Sequence, residues 1–505
     1  MTAAKTLCGA ILVSIAMIGC TPSVQPLNME EVTQRSFLDL NQTLHQQEAL
    51  TGPVDLYEAM ARALKYNLDN RLKMMELCLS VQQQKVSRFD MLPKLVTSAG
   101  YQARDNYSGS SSMALEGPNK GNESLVSSTS QEKDFVTADV TMMWNVLDFG
   151  VSYVRAQQEG EKVFIAEERK RKTIQNILQE VRTAYWKAIC AEVLISDVQS
   201  LLDETLRALE YSRKIETQYL GDTKKALEYQ RVLLQNIQLL KGMLQNMRDA
   251  KTELARLMNV HPSDPFNLVV PEQFDELPQI GISVEALEKI ALGKRPELHE
   301  EDYRARITAL EGRKALLKML PGLNLRTGFN LDTNDFLHNN QWWQAGAHVS
   351  WNLLKLFSQP MIYKTVQTQQ EVDSLRRQAL GMAILMQVQL AYDDFVRARD
   401  SFDLSHQLER VNQRLNELNL AQKESNVGNY LELIRGRITA MTTRMRKMMA
   451  YAELQQSYCR IINTIGVDML PEDVDGVPVT AVQQSVRVAV ERVENLLSGA
   501  AEAPL

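Results

Sequence analysis

The sequence is poor in cysteine, glycine and aromatic residues, and each shortage excludes a class of protein. It has 5 cysteines, 23 glycines and 6% aromatic residues in 505 positions, with a net charge of −6. Cys78, Cys190 and Cys459 are far apart in helical patterns, so we expect small buried residues rather than disulfides or metal ligands. The acidic balance argues against nucleic acid as a partner, because a nucleic-acid-binding protein carries a basic face.

Long apolar runs and catalytic motifs are also missing. After residue 20, no apolar stretch reaches the roughly 18 residues that a transmembrane helix needs. The sequence contains no phosphate-binding loop, nucleophile elbow or zinc motif, and its 6 histidines are scattered. These absences predict a protein that is not an enzyme and that uses no cofactor or metal.

The amino-terminal residues have the features of a bacterial targeting signal. Lys5 precedes an apolar stretch that runs from Leu7 to Ile18, and we interpret residues 1–19 as a signal peptide. The sequence Met17-Ile18-Gly19-Cys20 resembles a lipobox, which implies that Cys20 is acylated; ordinary signal cleavage nearby is the alternative. Threonine rather than aspartate follows the cysteine, which by the same resemblance implies retention in the outer membrane. We expect residues 20–52 to form an extended linker.

The most informative feature that is present is an internal duplication. Ala63-Leu64 returns 228 positions later as Ala291-Leu292, and Trp144-Asn145 returns 207 positions later as Trp351-Asn352. The displacement between the two copies changes only once, from 228 to 207 positions. This indicates a duplicated unit whose copies differ in length at one place. The predicted domains are a first repeat (53–261), a link (262–282), a second repeat (283–466) and a tail (467–505) that packs around the middle of the molecule.

Four segments of about ten residues alternate apolar and polar side chains. They cover about 94–105, 134–147, 322–332 and 342–354, and His348 lies on the polar face of the last. This pattern fits strands of a membrane barrel with a wet interior, although a half-buried soluble sheet has the same pattern. Four strands cannot close a barrel, and open edges are not tolerated in lipid. The sequence therefore predicts an oligomer that shares one pore, with twelve strands if three chains contribute.

The remaining residues predict helices of two lengths. Long helices cover about 151–219 and 360–425, and apolar residues recur every seventh position in the first of them. Shorter helices precede the strands, at about 68–91 and 296–319, or follow the long helices, ending at about 260 and 465. Two short helices placed end to end are as long as one long helix. We therefore predict that each repeat forms a pair of rods.

This order of elements resembles the TolC-like outer-membrane efflux family. The local matches are Trp144-Asn145-Val146-Leu147-Asp148-Phe149-Gly150 after the second strand and the turn Gly428-Asn429-Tyr430-Leu431-Glu432-Leu433. The resemblance implies a homotrimer in outer-membrane lipid, with a 12-stranded β-barrel that continues into an α-helical coiled-coil barrel. It also implies passive conduction for an inner-membrane pump and a periplasmic adaptor protein, in efflux or type I secretion. A structural lipoprotein that spans the periplasm without transport is the rival interpretation.

The resemblance also assigns candidate residues at the helical turns. Gly221, Asp222, Gly428 and Asn429 are the candidates for adaptor docking, although a glycine there also suits a simple helix stop. The candidates for lining the entrance are Lys224, Glu432, Arg435 and Arg437. Two interpretations stay open: these cations pair with neighbouring acids such as Glu228 and Glu432, or they line the entrance and favour anions.

Overall fold

The computed structural model describes residues 26–45, 47–111, 113, 115–118, 120, 121, 123, 126–217, 223–261, 264–271, 277–424, 430–469 and 476–499. The helices are α1 (Met29–His45), α2 (Leu56–Tyr66), α3 (Leu68–Phe89), α4 (Val146–Thr217), α5 (Thr223–Leu257), α6 (Val284–Lys294), α7 (Pro296–Leu317), α8 (Gln359–Glu424), α9 (Tyr430–Ile465) and α10 (Val479–Leu497). The strands are β1 (Lys94–Ala103), β2 (Gly109–Ser110), β3 (Ser128–Thr129), β4 (Asp134–Asn145), β5 (Gly322–Asp332) and β6 (Gln341–Ser350), and Leu353–Ser358 is a 3₁₀ turn. Within this part of the chain, no helix combines the length and apolar character needed to cross a membrane.

Two long helices organise the helical part. The 72-residue α4 contacts α3, α5, α7 and α9, and the 66-residue α8 contacts α6, α7 and α9. The short helices meet end to end along these rods. Asn67, at the start of α3, donates a hydrogen bond to the Leu257 carbonyl at the end of α5, at 3.2 Å. Arg295, before α7, donates to the Thr464 carbonyl near the end of α9, at 2.9 Å. Each long rod is therefore paired with stacked short helices along its length.

Strands from both repeats form one antiparallel sheet with the order β1–β4–β5–β6. Its register places Val140 beside Phe329, which lies beside Trp343, so these apolar side chains share one face. The other face is mostly polar, as the alternating pattern predicts, although the register also places Met143 and Trp342 on it. The sheet leads directly into α4, because Asn145 ends β4 and its side chain accepts hydrogen bonds from the backbone N–H groups of Leu147 and Asp148.

The core lies along α4 and fills the middle of the molecule. One cluster joins α4 to α2, α8, α9 and α10, and a second joins α4 to α5 and α9. Helix α10 contributes one apolar stripe, and its buried residues include Val482, Val486, Val490 and Val493. Beside this core, burial would raise the pKa of Glu297, but the hydrogen bonds from Arg295 and the charges of Arg295 and Lys172 lower it overall.

Two sequence-based expectations were wrong. The segment expected to be an extended linker contains helix α1, in which Met29, Phe37 and Leu40 are exposed. A start signal was present there: Asn28 accepts a hydrogen bond from the backbone N–H of Glu30, in an acidic first turn.

Cys78, on α3, is exposed rather than buried, because the face of α3 that carries it does not pack within one chain. Cys190 and Cys459 are buried as expected, and burial raises the pKa of their thiols to about 12 and about 11.

Candidate channel entrance and open flanks

The two helical hairpins, α4–α5 and α8–α9, run away from the sheet. Their described ends are Thr217, Thr223, Glu424 and Tyr430, all far from the strands because α4 and α8 both start next to the sheet. The four predicted docking residues, Gly221, Asp222, Gly428 and Asn429, lie outside the described residues. The adaptor-docking assignment therefore stays a prediction.

The predicted entrance residues differ in their surroundings. Lys224 and Arg435 are exposed, whereas only the helical main chain of Glu432 is described. Arg437 is half-buried and forms an ion pair with Glu204 of α4. Neither Glu228 nor Glu432 is this partner, so the structure pairs Arg437 with an acid that sequence reasoning missed.

A second ion pair repeats the first after one heptad. Arg444 lies seven residues after Arg437, and its Nη1 is 3.2 Å from Oδ2 of Asp197, which lies seven residues before Glu204. Because α4 and α9 are antiparallel, this spacing places both pairs on one helix–helix seam. The two arginines and the two acids are each seven residues apart in the sequence. This signal identifies the ion pairs only once the packing of α4 against α9 is known.

A polar groove of about 730 Å³ lies beside this seam, between α4, α8 and α9. Lys447 Nζ lies 3.0 Å from Glu409 Oε2 and so connects α9 to α8. His406 Nδ1 lies 4.0 Å from the same carboxylate. Among the described residues, three cations of the groove are thus paired across helices, namely Arg437, Arg444 and Lys447. Cross-helix pairing thus accounts for these three cations, whereas Arg435 is exposed and its place at an entrance stays a prediction.

Both flanks of the molecule are open. Within the described residues, β1 and β6 are the edge strands of the sheet, each paired on one side only. On the helical side, α8 buries one apolar face against its own chain, including Ile384, Val388 and Phe395. Its opposite face exposes large apolar side chains at helical spacing: Leu375, Met382, Met386, Leu390, Leu404, Leu408, Val411, Leu415 and Leu418. Helix α3, at the other flank, exposes a similar stripe: Leu68, Leu72, Met75, Leu79 and Val86.

Comparison with known proteins supports the same architecture. No protein-family model and no curated protein sequence matches this chain. Among solved structures, the outer membrane channel CmeC of Campylobacter jejuni is 12% identical with a TM-score of 0.61, covering 86% of this chain and 89% of that one. The open state of the MtrE outer membrane channel of Neisseria gonorrhoeae is 14% identical with a TM-score of 0.60, covering 81% and 88%. The outer membrane protein VceC of Vibrio cholerae is 11% identical with a TM-score of 0.57, covering 81% and 96%. The chain therefore has the fold of the TolC-like outer-membrane channels, and the resemblance seen in the sequence is confirmed at the level of the fold.

Proposed function

We propose that this protein is the outer-membrane channel of an export system. Three copies close a 12-stranded barrel in the membrane and a helical tunnel below it in the periplasm. The channel passively conducts substrates that a periplasmic adaptor and an inner-membrane pump deliver, as in tripartite efflux or type I secretion. An acyl chain on Cys20 anchors each copy, and the two hairpin turns contact the adaptor.

The open flanks carry this proposal. In lipid, unpaired N–H and C=O groups of an edge strand each cost several kcal/mol, so β1 and β6 must find partners. The exposed apolar stripes on α3 and α8 require cover as well. Because these unpaired surfaces lie on opposite flanks, copies associate head to tail, and such an interface forms a ring when the rotation between neighbouring copies closes.

The strand number favours a ring of three. Each chain supplies four strands to the sheet, and about eight strands fill their own interior with side chains. Two copies would therefore leave no pore, whereas three copies give twelve strands and a central channel. The same closure places α8 of one copy beside α3 and α5 of the next.

Adjacent substitutions on α8 test the interface. Met386 is 62% exposed on the free stripe, whereas Gln387 is exposed on the side of the helix. We expect Met386→Asp to prevent assembly, since burying a methionine side chain contributes about 1.5–3 kcal/mol and a carboxylate reverses that gain at each interface. Gln387→Asp adds the same charge one residue away and should leave the assembly intact.

Light scattering in detergent and conductance in planar bilayers provide the measurements. The wild-type protein should have a mass of roughly three chains, each 57.3 kDa before signal removal, and should open ion-conducting pores. A stable trimer that never conducts would instead support the structural lipoprotein. A wild-type monomer, or equal behaviour of the two α8 variants, would contradict the proposed interface.

A further inference from the structure

The polar face of the sheet carries two cations in one row near its helical end. The register aligns Lys94 of β1 with Met143, then with Arg326, and finally with Gly346 of β6. Lys94 and Arg326 are two strands apart, so their Cα atoms are separated by about 10 Å. His348 lies in the neighbouring row, opposite Asn324.

These two cations have no close counter-ion in the part of the chain that the structure describes. Among the described residues, no ion pair joins a carboxylate to Lys94 or Arg326, and Asp139, an acid on the same face of the sheet, lies four residues from the row along β4. Asp139 itself accepts hydrogen bonds from Ser98 and Thr141.

The acids on the helical side of this row are occupied by other interactions. Asp90 lies 3.5 Å from Arg155, so its charge is already balanced. Asp148 lies in the first turn of α4, where the helix dipole offsets part of its charge. The two acids beside the row thus have other interactions, and among the described residues neither forms an ion pair with Lys94 or Arg326.

Space for a ligand adjoins this row. A cavity of about 460 Å³ is lined by Lys94, Arg326 and His348, by the acids Asp90 and Asp148, and by apolar groups that include Met143 and Phe149. Gly346 stands opposite Arg326, and a Cβ there would meet nothing within 4 Å. The site thus combines a guanidinium and an ammonium, two acids that interact with other groups, and an apolar wall around open volume.

We infer that this row, which we call the cationic row, binds the acid group of small organic anions as they pass through the pore. The inference rests on the proposed function, because that function turns the polar face toward the channel. A guanidinium binds a carboxylate or sulfonate through two parallel hydrogen bonds, and the apolar wall contacts the apolar part of the organic anion. Three copies bring six cations to one level, which selects anions in a narrow pore.

Block of single-channel current by benzoate tests the site, because benzoate combines a carboxylate with an apolar ring. We expect the wild-type current to be blocked by benzoate in a saturable way. Arg326→Gln and Lys94→Gln should each weaken the apparent affinity about threefold, as removal of one accessible ion pair would. Arg326→Lys keeps the charge without the planar fork and should fall between the wild type and Arg326→Gln.

A matched control removes a cation just beyond the far end of β1. Arg104 lies just beyond the far end of β1 and donates its backbone N–H to Lys133. Arg104→Gln should leave the block by benzoate unchanged. The trimer mass of each variant verifies that it has assembled.

The outcomes separate the two proposals. A wild-type trimer without current would refute the channel function. Current that benzoate does not block, or equal block of Arg326→Gln and Arg104→Gln, would refute the anion site while leaving the channel function intact.

Discussion

Replacing Gly466 by alanine should disrupt the joint where α9 ends against the start of α7. Gly466 has φ +72°, and a Cβ built on it would lie 2.8 Å from Cα of Arg295 and 2.9 Å from its backbone nitrogen. Two free-energy costs combine when Gly466 is replaced by alanine. A residue other than glycine is strained at this φ, and the added methyl meets main chain that cannot move aside as a flexible side chain can.

Gly476 allows the cost of backbone strain to be measured without the cost of steric overlap. It has φ +75°, yet a Cβ there would meet nothing within 4 Å. Gly476→Ala should therefore cost only the strain of the left-handed conformation, about 1–2 kcal/mol. Gly466→Ala should cost about 2–5 kcal/mol, since overpacking against main chain adds about 1–3 kcal/mol.

Thermal melting of the purified trimer, followed by circular dichroism at one protein concentration, compares the two variants. We expect both melting midpoints to fall, with a clearly larger drop for Gly466→Ala. Equal drops would show that the close approach of Gly466 to Arg295 adds no free energy. That result would show that main-chain contact between Gly466 and Arg295 does not hold α9 in line with α7.

Three further predictions concern labelling, ion pairing and pH. Maleimide should label Cys78 in dissociated chains but not in the trimer, while the two buried cysteines stay unlabelled in both; equal labelling of Cys78 in both forms would place α3 outside the interface. A double-mutant cycle of Arg437→Gln and Glu204→Gln should give a coupling energy of about 0.5–1 kcal/mol in melting experiments, and a value near zero would mean that the pair does not hold α9 to α4. The lowered pKa of Glu297 stabilises the fold above its unfolded pKa of about 4.3, and this contribution is lost as pH falls through the lower folded pKa. Melting midpoints measured between about pH 6 and pH 3 should thus fall more steeply for the wild type than for Glu297→Gln.

Periodicity made the helices and strands predictable. The strict alternation at residues 322–332 and 342–354 corresponds to β5 and β6, because a half-buried strand repeats every second residue, although β6 ends at Ser350 and the predicted end of the strand lies in the 3₁₀ turn. The heptads of the first long segment correspond to α4, because a helix that packs along its whole length needs an unbroken stripe. Helix α1 was missed because its signal is short and its segment is mostly polar.

Contacts between distant segments were not predictable in this way. Arg437 and Glu204 are 233 residues apart in the chain, and only the register in which α9 packs along α4 brings them together. The same holds for Lys94 and Arg326, which share a row because β1, β4 and β5 pair in one particular register. A shift of one residue would place either cation on the apolar face.

The sequence by itself determined that the chain is duplicated and that it consists of rods and two-faced strands, because these properties follow from local periodicity. The tertiary structure decided which charges pair, and it left β1, β6, α3 and α8 with open surfaces on two flanks. Pairing and exposure depend on register and on which neighbour covers each face, and a local pattern in the sequence contains neither.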